Sequence, residues 1–407
     1  MSFDIALSGL NAVSDELDTI SNNIANSGTY GFKSSRANFA SMYAGTQPVG
    51  TQVSSLTQSI GQGGSVLNTG RAMDAAIQGR GFFVTRDSSG AMNYTRVGIF
   101  STDKDGFVVD SFGRKVQGYA ATTGGATLGA MGDIQVPNGQ IPAQATDTLN
   151  YVGNLSADWS APTVATFNPA DPQSFNSSMV SVVYDSLGTK HSLTQYFVHS
   201  GVNQVTVHYS FDGAQLDTTP PPAAPSGTFV TQTLNFNSQG LLTAPAAPVA
   251  INLGTPAGTA ALSVNVNYAG TTQFAGEATT TVNSANGGSS GMLTGVQIEK
   301  DGSVMALYSN GAKKSAGTLA LATFPNESGL MPVSDTSWTT TNESGNALYF
   351  QPGVGTAGSL AVGALEQSNV DVASELVGLM SAQRNYQANT KIISTENQMM
   401  QSLMQAV

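Results

Sequence analysis

Apolar residues near the start of the chain fall on Phe3, Ala6, Leu10, Val13, Leu17, Ile20 and Ile24, in alternating steps of three and four. That alternation is the seam of a coiled-coil helix, or the buried stripe of an amphipathic helix on a core. The same rhythm returns at the far end through Val372, Leu376, Leu379, Gln383, Tyr386, Thr390, Ile393, Asn397, Met400 and Met404. Its three polar members recur every seven residues, and polar seam positions fix register at a cost in stability. Between the first seam positions sit Ser8, Gly9, Asn11, Ser14, Thr19, Asn22 and Asn23, all poor helix formers. Such a helix needs a partner along its stripe, and the other terminal helix is the one most available. The pattern therefore predicts helices over 1–28 and 369–407 that together make one discontinuous helical domain.

Between the ends the period changes from helical to two. Short runs at Phe82–Thr85, Phe107–Val109, Met179–Tyr184, Leu193–Val198, Val205–Tyr209 and Leu262–Tyr268 read as strands. Turns of the form Asp/Asn-x-x-Gly separate many of them, at Asp87–Gly90, Asp103–Gly106, Asp110–Gly113, Asp185–Gly188 and Asn237–Gly240. The first residue starts the turn through its side chain and glycine supplies the left-handed position that ends it. No long helix is predicted between about 45 and 365. The fold class is therefore mixed and mainly β with terminal α.

Charge distribution subdivides the β region. Nine of the fifteen basic residues lie between Lys33 and Lys115, whereas Lys190 is the only one from Val116 to Glu299. Low-complexity runs at Ala120–Gly129 and Ala285–Ser290 bracket that acidic stretch. The expected organisation is an extended linker over 29–70, an inner β domain from 71–145 and 290–368, and an outer β domain over 146–289 inserted in it.

Composition removes several classes of function. A net charge of -11 argues against an electrostatic grip on nucleic acid or anionic lipid. No run approaches the roughly 18 apolar residues of a membrane-spanning helix, so no membrane insertion is expected. Early acids and a first basic residue at Lys33 do not fit a cleaved secretory signal. With no cysteine there is no thiolate nucleophile and no Cys-ligated zinc.

The remaining chemical motifs are weak. Gly287-Gly288-Ser289-Ser290-Gly291 has the string of a hydrolase nucleophile elbow, but it lies in linker-like sequence rather than between a strand and a helix. Asp103-Lys104-Asp105-Gly106 resembles part of a calcium loop, yet Arg114 stands where the twelfth-position Glu belongs. His191, His199 and His208 are spaced by eight and nine, unlike zinc ligands, and strand alternation sets His191 and His208 toward solvent. Neither a catalytic constellation nor a cofactor or metal site is expected, and the chain reads as a non-enzyme.

Both ends carry more than a heptad. Ser8-Gly9-Leu10-Asn11-Ala12, Ile20-Ser21-Asn22-Asn23-Ile24-Ala25-Asn26-Ser27 and Gly31-Phe32-Lys33 closely resemble the N-terminal signature of the bacterial flagellar rod and hook family. Leu365-Glu366-Gln367-Ser368-Asn369-Val370-Asp371, Glu375-Leu376-Val377 and Ala382-Gln383-Arg384-Asn385-Tyr386-Gln387 resemble its C-terminal signature. Asn68-Thr69-Gly70-Arg71 through Gly79-Arg80-Gly81-Phe82-Phe83 is similar to the same family. Within it, 407 residues with an inserted β domain resemble the hook subunits, with distal rod or other axial proteins second. A secreted β-rich binding or carbohydrate-active protein is the alternative from another class.

The resemblance implies a structural subunit that forms a helical homopolymer, a curved tube coupling rod to filament as a universal joint for motor torque. It implies export by the flagellar type III apparatus to the cell exterior. Implied neighbours are rod proteins, hook-filament junction proteins and a hook assembly cap. The assembly interface would then lie on Phe3, Leu10, Val13, Leu17, Ile20, Ile24, Val372, Leu376, Leu379, Gln383, Tyr386, Ile393, Met400 and Met404.

Overall fold

The computed structural model describes residues 2–122, 129–218 and 229–406. Most of the low-complexity run Ala120–Gly129 lies outside them. The chain forms two compact units. One holds Met1–Asn138, Gly295–Leu307 and Lys313–Val407, and the other holds Gly139–Thr294 and Tyr308–Ala312. The second is thus an insertion within the first, slightly wider than the 146–289 expected from composition.

In the first unit, helix α1 spans Ser2–Ala25 and helix α2 spans Val372–Ala406. Asp371 starts α2 by accepting from the Ala373 backbone N–H at 3.0 Å and the Ser374 hydroxyl at 2.9 Å. An anionic cap there also suits the positive end of the helix dipole. The stretch after α1, read from sequence as an extended linker, instead contains an antiparallel hairpin of strands β1 (Ser35–Ala44) and β2 (Gln47–Gln58). Most of its residues are polar or exposed, so the two-residue alternation that marks a half-buried strand is missing.

Thirteen strands drawn from residues 82–133 and 293–350 make the main sheet network of this unit. Outgoing and returning chain pair directly: Phe82 and Phe83 with Ala322 and Leu321, and Gly118 to Ala120 with Leu319 to Gly317. The core collects Phe82, Val84, Tyr94, Phe324, Leu330 and Trp338. Phe82 meets Phe324 at 5.9 Å and Tyr94 meets Phe324 at 4.8 Å, both edge to face, as ring quadrupoles favour. Two short ladders then join the chain leaving the hairpin to the chain approaching α2: 66–68 with 364–366, and 75–78 with 359–362. These ladders bring the two helices to one place.

The inserted unit is a pair of sheets around one core. A six-stranded sheet includes 177–184, 190–201, 204–211 and 231–236; a four-stranded sheet holds 148–154, 249–254, 262–267 and 279–285. Alternate residues of both sheets, among them Tyr151, Leu193, Phe197, Val207, Tyr209, Val264 and Tyr268, fill the core. At its centre the hydroxyls of Tyr209 and Tyr268 lie 2.8 Å apart, and Tyr268 donates to Gln195 at 2.6 Å. The aromatic rings thereby gain burial without leaving their hydroxyls unbonded.

The predicted turns take the predicted geometry. Asp103 Oδ1 accepts from the backbone N–H of Asp105 and Phe107, and Gly106 sits at φ +83°. Asp185 treats Leu187 and Thr189 in the same way, with Gly188 at φ +82°. Asp103-Lys104-Asp105-Gly106 is thus a strand turn, its leading carboxylate occupied by backbone donors.

Candidate functional site

The candidate site is the surface built by α1, α2 and the β1–β2 hairpin, together with the buried contacts that hold it. The helices run antiparallel. Gly9 lies against Asn389, Gly378 against Ile20, and Asn23 donates to Glu375 Oε1 at 2.9 Å. Val13, Ile20 and Ala382 are buried between them, with Leu17, Ile24 and Leu379 packed alongside. Both helices bring a glycine to the contact. A Cβ on Gly378 would meet Ile20 Cδ1 at 3.4 Å, and one on Gly9 would meet Asn389 Nδ2 at 3.1 Å. The second contact is tighter than a side chain usually makes and the first is an ordinary one, so the close approach at Gly9 offsets part of glycine's cost of about 1 kcal/mol in a helix interior.

The expected interface residues divide into three groups. Val13, Leu17, Ile20, Ile24 and Leu379 meet between the helices, whereas Leu10 and Ile393 are half-buried. Phe3, Val372, Leu376, Gln383, Tyr386, Met400 and Met404 remain exposed, Met404 to 78%. The stripe of α2 that faces α1 is instead Glu375, Gly378, Ala382 and Asn389, with Leu379 at its margin. Small and polar residues carry no hydrophobic signal, so the periodicity of α2 pointed to its other, larger stripe. A cleft of about 650 Å3 opens beside this pair, lined by Ile5, Ala12, Val13, Phe39, Pro48 and Ala388.

Below the helices lies a buried charged latch. Lys33 Nζ stands 2.6 Å from Glu366 Oε1 and donates to the Gln62 carbonyl at 2.7 Å. Arg96 approaches Glu366 Oε2 at 3.2 Å and donates to the Gly79 carbonyl at 2.9 Å. All three side chains are at most 3% exposed. Burial pulls the Lys33 pKa below the ordinary lysine range, and the Glu366 charge and hydrogen bond oppose that pull. The Arg96 guanidinium also covers the Phe82 ring at 5.2 Å.

Neighbouring motif residues complete the junction. The Gly31 N–H donates to the Glu366 carbonyl at 2.8 Å. Asn369 Oδ1 accepts from the Ser34 N–H at 2.8 Å, while its amide donates to Ser59 and Gln62 carbonyls at 3.1 and 3.0 Å. Asn23 bonds Ser35 through both its oxygen and its nitrogen while also reaching Glu375. The residues quoted for both terminal signatures thus meet where outgoing and returning chain cross. Sequence reading selected the motifs but missed Arg96 and the pairing of Lys33 with Glu366.

Other candidate chemistry resolves into structure. Gly288 and Gly291 bridge in extended conformation to Gln144 and Ile141, so Ser289 and Ser290 sit on no strand-to-helix elbow. Among the described residues, no cluster of three or more His, Cys, Asp or Glu side chains is placed to hold a metal. No helix among them is long and apolar enough to cross a membrane.

The solvent-facing assignment of His191 and His208 is corrected. His191 lies between Asp212, at 2.6 Å, and Asp185, at 3.3 Å; His208 stacks on Phe167 at 4.2 Å between ring centres. Loops fold over these strand faces, which alternation within a strand does not report. Burial lowers the His191 pKa but the Asp212 and Asp185 hydrogen bonds outweigh it, leaving the net value raised; burial alone lowers that of His208.

These shifts give stability contributions of opposite sign. That of His191 is full below its unfolded pKa of about 6.5 and is lost as pH rises through its higher folded value. That of His208 is present above about 6.5 and is lost as pH falls through its lower folded value. His191→Gln is therefore expected to destabilise the inserted unit more at pH 6 than at pH 8. Urea midpoints read from Trp159 in a Trp338→Phe background check this; an equal loss at both pH values would refute the bridge.

Comparison with known proteins follows the same division of the chain. Residues 3–33 match the family described as flagellar basal body rod protein, and 361–406 the flagellar basal body rod FlgEFG protein C-terminal family. Residues 76–156 match the flagellar hook protein FlgE/F/G D1 domain, and 154–287 the flagellar basal body protein FlaE D2 domain. The chain is 39% identical to the flagellar hook protein FlgE of Salmonella typhimurium, with 99% of each chain covered. Identity to that of Escherichia coli is 38%, again over 99% of each, and to that of Brucella suis 31%, over 98% of this chain and 96% of the relative. The crystal structure of Helicobacter pylori flagellar hook protein FlgE2 is similar in fold, with a TM-score of 0.52 at 14% identity. It covers 74% of this chain and 100% of that one.

Proposed function

We propose, because this chain belongs to the flagellar hook protein family, that its terminal helices and inserted unit divide the work of a hook between assembly and outer surface. The protein is a structural subunit of the bacterial flagellar hook. One observation carries the assembly assignment: α2 gives its small and polar stripe to α1 and leaves Leu376, Tyr386, Met400 and Met404 exposed. A helix that keeps its large apolar residues in water has a further surface to cover. In this reading Phe3, Leu10, Val372, Leu376, Tyr386, Ile393, Met400 and Met404 pack against neighbouring copies. Val13, Leu17, Ile20, Ile24 and Leu379 shape the helix pair that presents them.

The polymer formed this way would be a curved tube outside the cell, with the helices at its inner wall and the inserted unit outermost. It would couple rod to filament and transmit torque while bending. Rod proteins, hook-filament junction proteins and an assembly cap would contact its ends, and the flagellar type III apparatus would export it. The Lys33–Glu366–Arg96 latch suits this role, because a rigid crossing below the helices passes load from them to the β unit.

Antibody against residues 146–289, gold-labelled and applied to intact cells, tests the assignment. Gold is expected on a short curved segment at the base of each flagellum. Label confined to stripped basal bodies would move the subunit to the rod, and label confined to the medium would refute an axial role.

A further inference from the structure

One face of α1 and the far face of α2 carry opposite charge. The acids of α1 are Asp4, Asp15, Glu16 and Asp18, with no basic residue in the helix. The bases of α2 are Arg384 and Lys391, both exposed. Among the described residues, Asp15, Asp18, Arg384 and Lys391 form no ion pair within the chain. Met380, Arg384 and Lys391 each stand two residues beyond Gly378, Ala382 and Asn389, which face α1. Two residues turn about 200° around a helix, so the basic stripe points away from α1.

A groove between α1 and β2 has the complementary form. It encloses about 430 Å3 and is lined by Asp15, Asp18, Thr19, Asn22, Val53 and Leu56. Asp15 and Asp18 are three apart and share one wall; Leu56, 63% exposed, gives the other wall an apolar surface. A carboxylate wall facing an apolar one fits a long basic side chain, whose methylene stem lies on Leu56 while its head reaches acid. Arg384 and Lys391 are seven apart and present two such side chains from one face, about 10.5 Å along the helix.

We propose that the Arg384–Lys391 face of α2 docks into the α1–β2 groove of a second copy, with Asp15 and Asp18 as the acidic wall it meets. This rests on the hook reading and names the contact between its subunits. Donor and acceptor surfaces lie on different faces of the chain, so the contact is head-to-tail, the type that builds an open helical filament when its rotation does not close. Exposed on both sides before assembly, the pairs also steer subunits into register.

Charge reversal tests it in cells lacking the native gene. Combined Arg384→Glu and Lys391→Glu should lower hooks per cell on the order of tenfold through like-charge contact. Adding Asp15→Lys and Asp18→Lys to that variant should return hooks to about the wild-type number. Trp338 unfolding midpoints should stay unchanged in both, since all four side chains are exposed. Normal hooks in the first variant would overturn the proposal. So would failure of the second to restore them, which would give the groove to a different flagellar component. Absence of hooks with the wild-type chain would instead refute the hook reading itself.

Discussion

Glu366→Ala is expected to destabilise the unit bearing the helices by about 3–5 kcal/mol, the usual cost of leaving a buried charge without its partner. Here two cations lose one anion: Lys33 and Arg96 both end on Glu366, and all three are out of water. Gly64 N–H also loses its acceptor, which lies at 3.0 Å. The chain has two tryptophans, Trp338 in the core of this unit and Trp159 packed on the core of the inserted one. In a Trp159→Phe background, urea unfolding followed at Trp338 reads the affected unit alone. A midpoint equal to that of the parent would mean that water or a rearranged side chain already satisfies the cations.

A companion variant separates stability from specificity. Lys33→Met, Glu366→Leu and Arg96→Met together remove the charges at similar volume, and such replacements are often neutral or stabilising. Recovered stability with hooks still missing would assign the latch to fixing the crossing of the two chain ends. Recovered hooks would reduce it to a burial problem solved with charge.

The second large effect separates assembly from folding. Leu376→Asp with Met400→Asp should abolish hooks while changing the unfolding free energy read at Trp338 by no more than about 0.5 kcal/mol. Both side chains are exposed in the single chain, to 46% and 59%. In a packed helical wall, each would forfeit roughly 1.5–3 kcal/mol of apolar burial. Each would also place a carboxylate where no partner waits, and every subunit repeats the loss. Electron microscopy of cells expressing the variant is the measurement. Normal hooks would show that this stripe of α2 does not lie between subunits.

Much of the fold was legible because it rests on local rules. Steps of three and four marked α1 and α2, and the Asp-x-x-Gly turns held at Gly106 and Gly188 because a short carboxylate and a left-handed glycine specify them without help from elsewhere. The β1–β2 hairpin was not legible as strands, since its exposed, polar faces do not alternate. His191 and His208 were misplaced because loop residues cover them, and cover is a property of distant chain.

What the sequence determined by itself was therefore the set of elements and their faces: two end helices, a β interior, an inserted acidic stretch, and motifs at both ends. Only the tertiary structure decided which faces meet. Gly378 and Ala382, not Leu376 and Tyr386, oppose α1, because close backbone approach rewards small side chains that carry no apolar signal. Likewise nothing local to Lys33, Glu366 or Arg96 announces their pairing, which exists only once the strand ladders bring residues hundreds of positions apart into one dry junction. Periodicity is a property of neighbours along the chain. Partnership depends on neighbours in space, and the free energy of burying a charge or closing a helix pair is set there.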